Sequence, residues 1–263
     1  MAAVSDMPLF DDFGRCLPGA VQSPALPRSR RYFTLLQPKI DYVASHARLL
    51  SCLGAGTTMD AATFEARAAS ILSRLESDPR TAAIARGVAV PFVLPRLVID
   101  DMGRSLDQRF LPAVREAFEN TYPDYRFANH HHGELEGRTE IQPESRHARL
   151  VAAMRETELV GIYFPALSEY SLPAALEQVT ALPDQFLLAG GVDTCAALIS
   201  APGLLLRTDS YPPLLWLGAL ASERPAIAYH FEAYGFNLTF NRRAHLGLAA
   251  EYWSCGLTVL EGD

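Results

Sequence analysis

The sequence predicts a mixed α/β or α+β fold, with a layered and partly parallel sheet, flanking helices and an antiparallel meander near the C-terminus. Apolar residues make up 49% of the 263 residues and charged residues 20%, which is the balance of a globular domain. Helix-like and strand-like segments alternate between residues 144 and 207, as in parallel sheets. After Pro213 the helical patterns end and short apolar strands follow one another.

The N-terminal 31 residues differ from the rest of the chain. They contain Pro18, Pro24 and Pro27 and no sustained period of either kind. This predicts an extended arm over residues 1–31, followed by a single mixed α/β domain over residues 32–263. Such an arm either packs across its own domain or reaches a neighbouring subunit.

The most regular helical pattern follows Asp60. Apolar residues recur at 3.6-residue spacing from Phe64 to Leu75, and Asp78-Pro79 ends the run. Residues 87–99 are strand-like instead. Prolines within them lack a ladder donor, which predicts an edge or bulged strand.

The next helix is predicted to run from near Pro112 to about Asn120, because a proline clashes inside a helix that begins well before it. Six elements then alternate: a helix at 144–157, a strand at 159–164, a helix from Ser171 to Thr180, a strand from Gln185 to Ala189, a helix from Val192 to Ser200, and a strand from Leu204 to Arg207. Three strands complete the meander, at 214–220, 226–233 and 236–242.

Charge and cysteine usage restrict the classes of partner. The net charge of −7 and the pI near 5.5 disfavour nucleic acid. No apolar run approaches the length of a membrane span, and the first residues lack the pattern of a signal peptide. The four cysteines are scattered, which favours reduced thiols. We therefore expect a soluble, cytoplasmic protein.

Residues 129–136 place three imidazoles and two carboxylates close together. In an extended segment His130, His132 and Glu134 share one face, and these groups suit Zn, Fe or Mn. The spacing of His130, His132 and Glu136 resembles the first motif of cupins, over these seven residues only, and that resemblance implies metal ligands. The alternative is a solvated polar turn.

A second candidate site lies where a strand meets a helix. Gly190 and Gly191 stand before the predicted helix, with Asp193 and Thr194 in its first turn, and backbone N–H groups there can bind an anionic cofactor. The segment resembles the S-G-G-x-D-S loop of PP-loop ATP pyrophosphatases, with Ala189 in place of the first serine. The alternative is a tight turn in which Asp193 caps the helix.

The C-terminal hairpin offers a third candidate. Period-two alternation places His230 and Glu232 on the face opposite the apolar residues, with Thr239 and Asn241 beside them on the partner strand. A row of such groups can hold a substrate or a metal, although most antiparallel sheets have one polar face.

Arg207 and Asp209 are predicted to share a side of the strand before the meander. A guanidinium fork at that position would suit a carboxylate substrate.

Two hypotheses for function follow. In the first, the chain is a metal-dependent hydrolase or oxygenase acting on a small polar or carboxylate-bearing molecule. His130, His132, Glu136 and His230 would hold the metal, and Glu134, Glu232, Arg207 and Asp209 would be catalytic. In the second, it is a non-catalytic binding or assembly protein, a homo-oligomer that uses the arm and the aromatic residues Tyr211, Trp216, Tyr252 and Trp253 as a partner surface.

Overall fold

The computed structural model describes residues 7–54 and 58–262. In these residues helices flank a mixed sheet, as the sequence predicts. The helices are α1 Tyr42–Leu53, α2 Ala61–Ser77, α3 Met102–Ser105, α4 Leu111–Thr121, α5 His147–Glu156, α6 Leu172–Ala181 and α7 Gly191–Ser200. The strands are β1 Val90–Leu94, β2 Phe127–Asn129, β3 Thr139–Ile141, β4 Leu159–Ser168, β5 Leu187–Leu188, β6 Leu214–Trp216, β7 Leu220–Ser222, β8 Ala228–Tyr234, β9 Asn237–Arg243 and β10 Trp253–Leu260.

The main sheet has the strand order β1-β4-β10-β6-β8-β9-β2, with β5 also paired to β10, while β3 and β7 form a small second sheet. Two pairs are parallel, β10 with β6 and β2 with β9, and the other pairs are antiparallel. The sheet is thus partly parallel, and its C-terminal strands β8 and β9 form the expected antiparallel pair. The strands of these two parallel pairs lie outside residues 144–207, where the alternation of helices and strands predicted parallel pairing.

The central strand β10 was not predicted. Every residue from Trp253 to Leu260 is buried, so both faces of the strand are covered and no period-two pattern marks it. Gly256 has a packing role there, because a Cβ at this position would lie 2.1 Å from the ring of Tyr163.

The edge strand predicted over residues 87–99 is confirmed as β1, which ends the sheet order. Its outer side is covered by hydrogen bonds. The Ser200 hydroxyl donates to the carbonyl oxygen of Pro91, and the Gln37 side chain bonds both backbone groups of Ala89. These contacts satisfy backbone groups that an uncovered edge exposes.

Helices α2 and α6 both begin at the predicted positions, each with a polar side chain as its N-cap. The Asp60 carboxylate accepts the N–H of Thr63, and the Ser171 hydroxyl accepts the N–H of Ala174, as expected of N-cap residues. Helix α4 is also confirmed, but the helical backbone begins earlier than predicted. A π-helical turn over Leu106–Phe110 precedes the proline, and its wider turn accommodates a residue without an N–H donor.

The strand predicted from Leu204 to Arg207 is wrong, because these residues form turns after α7. The strand predicted at 214–220 is also interrupted: Trp216 ends β6 and Leu220 begins β7. Among the described residues no helix is long and apolar enough to cross a membrane.

Residues 7–31 lie against the domain and contribute two isolated bridges, Phe10 with Cys16 and Ala25 with Tyr170. Residues 1–6 of the predicted arm lie outside the described residues. Phe10 and Cys16 are buried in the main core, so this part of the arm belongs to the packed structure.

Candidate functional site

A cleft of about 400 Å³ is formed by four segments: the residues after α7, the residues before α1, the residues after α4 and the tip of the β8–β9 hairpin. Tyr122, Tyr125 and Phe236 form its aromatic wall, and Leu36 and Leu206 add aliphatic surface. Its polar end carries Arg207, Thr208 and Asp209. We call this the aromatic cleft. It contains two of the predicted catalytic residues, and no local pattern in the sequence indicated that aromatic rings would lie beside them.

Arg207 is the most constrained polar group of the aromatic cleft, since its side chain is only 8% exposed. Its Nη1 donates to the carbonyl oxygen of Thr34 at 3.0 Å. Its Nε and Nη2 both point to Asp209 Oδ1, at 3.0 and 2.9 Å. Although the strand predicted here is wrong, the turn brings the two side chains together, and the guanidinium fork already binds a carboxylate.

Asp209 is the exposed partner of this pair, with 68% of its side chain accessible. The Arg207 guanidinium lowers the pKa of the Asp209 carboxyl, so the carboxylate is charged at neutral pH. Its Oδ1 is contacted by Arg207 and by the Ser210 hydroxyl at 3.4 Å.

The aromatic wall is a row of stacked rings. The Tyr122 and Tyr125 centroids are 6.3 Å apart, and those of Tyr125 and Phe236 are 5.3 Å apart with an interplanar angle of 22°. Phe236 is 40% exposed. The row therefore presents ring surface to the cleft, and such surface favours stacking by another flat group.

The histidine and glutamate segment is not extended, because residues 130–133 form a turn after β2. The turn is fixed by backbone contacts. The Asp107 carboxylate accepts the N–H groups of Gly133 and Leu135, and Asp101 accepts the N–H of Gly137. The face shared by alternating residues, on which the metal prediction depends, is therefore absent.

The predicted ligands of this segment, His130, His132, Glu134 and Glu136, are all exposed. Glu136 pairs with Arg104, with 2.7 Å between Nη2 and Oε1. Within residues 7–54 and 58–262 no group of three or more His, Cys, Asp or Glu side chains is arranged to hold a metal ion.

His131 is the buried histidine of this segment, and sequence reasoning did not single it out. Its Nδ1 lies 3.2 Å from Glu134 Oε2 and its Nε2 lies 3.3 Å from Asn241 Oδ1. Its hydrogen bond lowers the pKa of the Glu134 carboxyl. Through its contact with Asn241, His131 therefore links the turn to β9.

The strand register places the four residues predicted for the polar face of the C-terminal hairpin on one side of the sheet. His230 and Thr239 are buried there, so this side is not open to water. His230 lies opposite Asn241, and Glu232 lies opposite Thr239. Directly paired residues of antiparallel strands point to the same side, so the four side chains share one face.

His230 and Glu232 form a close pair on this face, with 3.5 Å between Nε2 and Oε1. Burial lowers the pKa of His230, against the opposing effect of the carboxylate. His230 lowers the pKa of Glu232, and Arg243, at 3.4 Å, acts in the same direction. At neutral pH the pair is thus an ionised carboxylate beside a neutral, buried imidazole.

The histidine segment and His230 come from remote parts of the chain but lie near each other. Strand β2 pairs with β9, and the N–H of His130 donates to the carbonyl oxygen of Phe240, beside the residue that faces His230. The two segments therefore adjoin, although their side chains do not form a ligand set in this conformation.

The glycine turn before α7 is buried inside the protein. Gly190, Gly191, Asp193 and Thr194 are all buried, and a Cβ on Gly190 would lie 2.7 Å from His147 Nε2. No space for a phosphate remains at this turn, so the arrangement differs from an open anion-binding loop.

Asp193 instead makes the contacts of a helix cap. Its Oδ1 accepts the N–H of Gly190 and Thr194, and its Oδ2 accepts the Thr258 hydroxyl at 2.6 Å. The imidazole of His147 is also fully buried, with Nδ1 3.7 Å from Asp193 Oδ2. This alternative interpretation of the glycine turn is the one the structure supports.

Cys195 and both tryptophans are inside the protein. Burial raises the pKa of the Cys195 thiol, and a thiol in such surroundings is a poor nucleophile. Trp216 and Trp253 are buried and pack edge to face, with centroids 4.9 Å apart, so they are not part of an exposed partner surface. Tyr211 is 79% exposed.

Comparisons with models of protein families, with curated proteins and with solved structures found no match for this chain.

Proposed function

We propose that the chain binds a small molecule that joins a carboxylate to a flat apolar group, and that the aromatic cleft is its binding site. The observation that carries this proposal is the position of Arg207. Its guanidinium is held by Thr34 and Asp209 at the end of a cleft whose wall is a row of aromatic rings.

This combination is typical of small-molecule sites. Such sites are concave, mostly apolar, and contain a few fixed polar groups that orient the ligand. An arginine that is already ordered loses less side-chain entropy when a ligand binds.

The first test uses 3-phenylpropionate as the probe, with binding measured by calorimetry and by NMR titration. We expect saturable binding that Phe236→Ala weakens by about 3- to 10-fold, since an aromatic contact contributes about 0.5–1.5 kcal/mol. Phe13→Ala is the matched control because Phe13 is an exposed ring outside the aromatic cleft.

The second test concerns the charge. Arg207→Gln should weaken binding by about tenfold or more, since hydrogen bonds to charged groups contribute about 1.5–3 kcal/mol. Arg155→Gln removes an arginine from an exposed ion pair with Asp100 and should leave affinity unchanged. Absence of saturable binding, or equal losses in both arginine variants, would contradict the proposal.

A metal-dependent enzyme acting through the histidine and glutamate groups is a second candidate that we propose. The observation that favours it is the pairing of β2 with β9, which places the histidine segment beside His230 and Glu232. Rotation of the exposed His130 side chain would be needed to complete a site.

Elemental analysis of protein purified without a histidine tag, after incubation with Zn²⁺, Fe²⁺ or Mn²⁺, tests this candidate. Stoichiometric metal that is lost in His130→Ala but retained in His245→Ala would support it. Equal metal content in the two variants would remove it.

A further inference from the structure

We propose that the ligand of the aromatic cleft is an α-amino acid with an aromatic side chain, bound as a zwitterion by Arg207 and Asp209 together. This inference rests on the proposed function and names its substrate class. It starts from the way in which the two side chains share their hydrogen bonds.

Contacts from neighbouring side chains meet at one oxygen of Asp209. Oδ1 accepts from Arg207 and from the Ser210 hydroxyl, and 68% of the Asp209 side chain remains exposed. An exposed carboxylate at the mouth of an aromatic cleft is an acceptor for an ammonium group.

Arg207 also has N–H donors that its contacts with Thr34 and Asp209 do not use. A guanidinium has five N–H groups, and the contacts with Thr34 and Asp209 engage Nη1, Nε and Nη2 once each. One N–H therefore remains on each of the two Nη atoms. These two donors can bind a ligand carboxylate while the contact with Asp209 is kept.

Charge balance favours a zwitterion over a simple anion. The pair of Arg207 and Asp209 carries no net charge, so a lone carboxylate meets the repulsion of Asp209 as well as the attraction of Arg207. An α-amino acid presents both signs on adjacent atoms and complements both partners.

The rest of the cleft selects the side chain. The stacked rings of Tyr125 and Phe236 and the aliphatic surface of Leu36 and Leu206 contain no formal charge. A flat apolar ring stacks on this wall, and a cleft of about 400 Å³ accommodates one amino acid.

The test compares three probes that carry the same ring: phenylalanine, 3-phenylpropionate without the ammonium group, and 2-phenylethylamine without the carboxylate. Calorimetry on the full chain should show that phenylalanine binds about tenfold more tightly than either truncated probe, the effect of one added charged hydrogen bond.

Two variants assign the effect to Asp209. In Asp209→Asn the affinity for phenylalanine should fall to that of 3-phenylpropionate, while 3-phenylpropionate binds no more weakly than before. Asp100→Asn is the control because Asp100 is also an exposed carboxylate paired with an arginine, and it should change neither affinity.

The outcomes separate this inference from the proposed function. If 3-phenylpropionate binds as tightly as phenylalanine, or if Asp209→Asn leaves phenylalanine binding unchanged, the zwitterion is excluded and the carboxylate site stands. If none of the three probes binds saturably, both proposals fail.

Discussion

At the scale of single residues, small side chains decide how closely segments approach. Gly103 in α3 lies against the backbone of the histidine segment, where a Cβ would be 1.7 Å from the carbonyl oxygen of Leu135. Asp101 and Asp107 hold the turn by hydrogen bonds, and the lack of a Cβ on Gly103 lets the turn approach α3 closely. Backbone contacts of this kind leave no signal in a single sequence.

Gly103→Ala should therefore destabilise the protein by about 1–3 kcal/mol or more, because the added methyl group meets backbone rather than a flexible side chain. The free energy of unfolding in urea is the measurement. Gly247→Ala is the control, since a Cβ there meets nothing within 4 Å, and it should change stability by less than about 0.5 kcal/mol. Equal effects of the two substitutions would show that the contact at Gly103 is not tight.

The cap of α7 is a second prediction at this scale. Thr258→Val removes the hydroxyl that donates to Asp193 and should cost about 1–3 kcal/mol, the cost of leaving a buried acceptor unsatisfied. Thr180→Val, at an exposed hydroxyl that bonds within its own helix, should have little effect. Equal unfolding free energies for these variants would refute the assigned role of Thr258.

At the scale of elements, regular sequence patterns located the helices and strands that carry them. Elements buried on both sides by remote parts of the chain carry no such pattern. The apolar period after Asp60 located α2, and the alternation around His230 located the polar face of the hairpin. Strand β10 was not predicted because both of its faces are buried, so its sequence does not alternate. Helix α1 was not predicted either. The aromatic cleft draws on four separate stretches of chain, so its rings could not be grouped before the fold was known.

The polar face of the hairpin should make stability depend on pH. The pKa of His230 is lowered below 6.5 in the folded protein, so the unfolded chain takes up a proton first as the pH falls. His230 therefore costs no stability above pH 6.5. As the pH falls from 6.5 towards the folded pKa, the free energy of unfolding decreases by at most about 1.4 kcal/mol per pH unit. Glu232, whose pKa is also lowered, adds a similar loss that begins below pH 4.5.

Unfolding free energies measured between pH 7.5 and 5.5 check this sign. The decrease should be smaller in His230→Gln than in the wild type, and His132→Gln, at an exposed histidine, should behave as the wild type. A wild-type protein that gains stability as the pH falls from 6.5 would contradict the neutral state assigned to His230, as would a decrease equal in both variants.

At the scale of the whole molecule, the N-terminal arm and the sheet share one core. The Tyr170 hydroxyl donates to the carbonyl oxygen of Cys16 at 3.0 Å, and the N–H of Cys16 donates to Ala166 in β4. Proline content predicted the extended backbone of the arm, but nothing local showed where it packs. Deleting the arm would therefore remove part of the core. A change of oligomeric state after such a deletion would not show that the arm itself mediates assembly.

The ion pair between Arg15 and Glu169 gives a sharper test of the arm. The side chains are 6% and 2% exposed, with 3.7 Å between Nη2 and Oε2, and Arg15 Nε also donates to the carbonyl oxygen of Ser168. Arg15→Ala leaves Glu169 buried without its counter-charge and should cost about 3–5 kcal/mol. Arg28→Ala, at an exposed position of the same arm, should cost less than about 0.5 kcal/mol. Urea denaturation of both variants distinguishes an arm that stabilises the domain from one that only rests on its surface, for which the two losses would be equal.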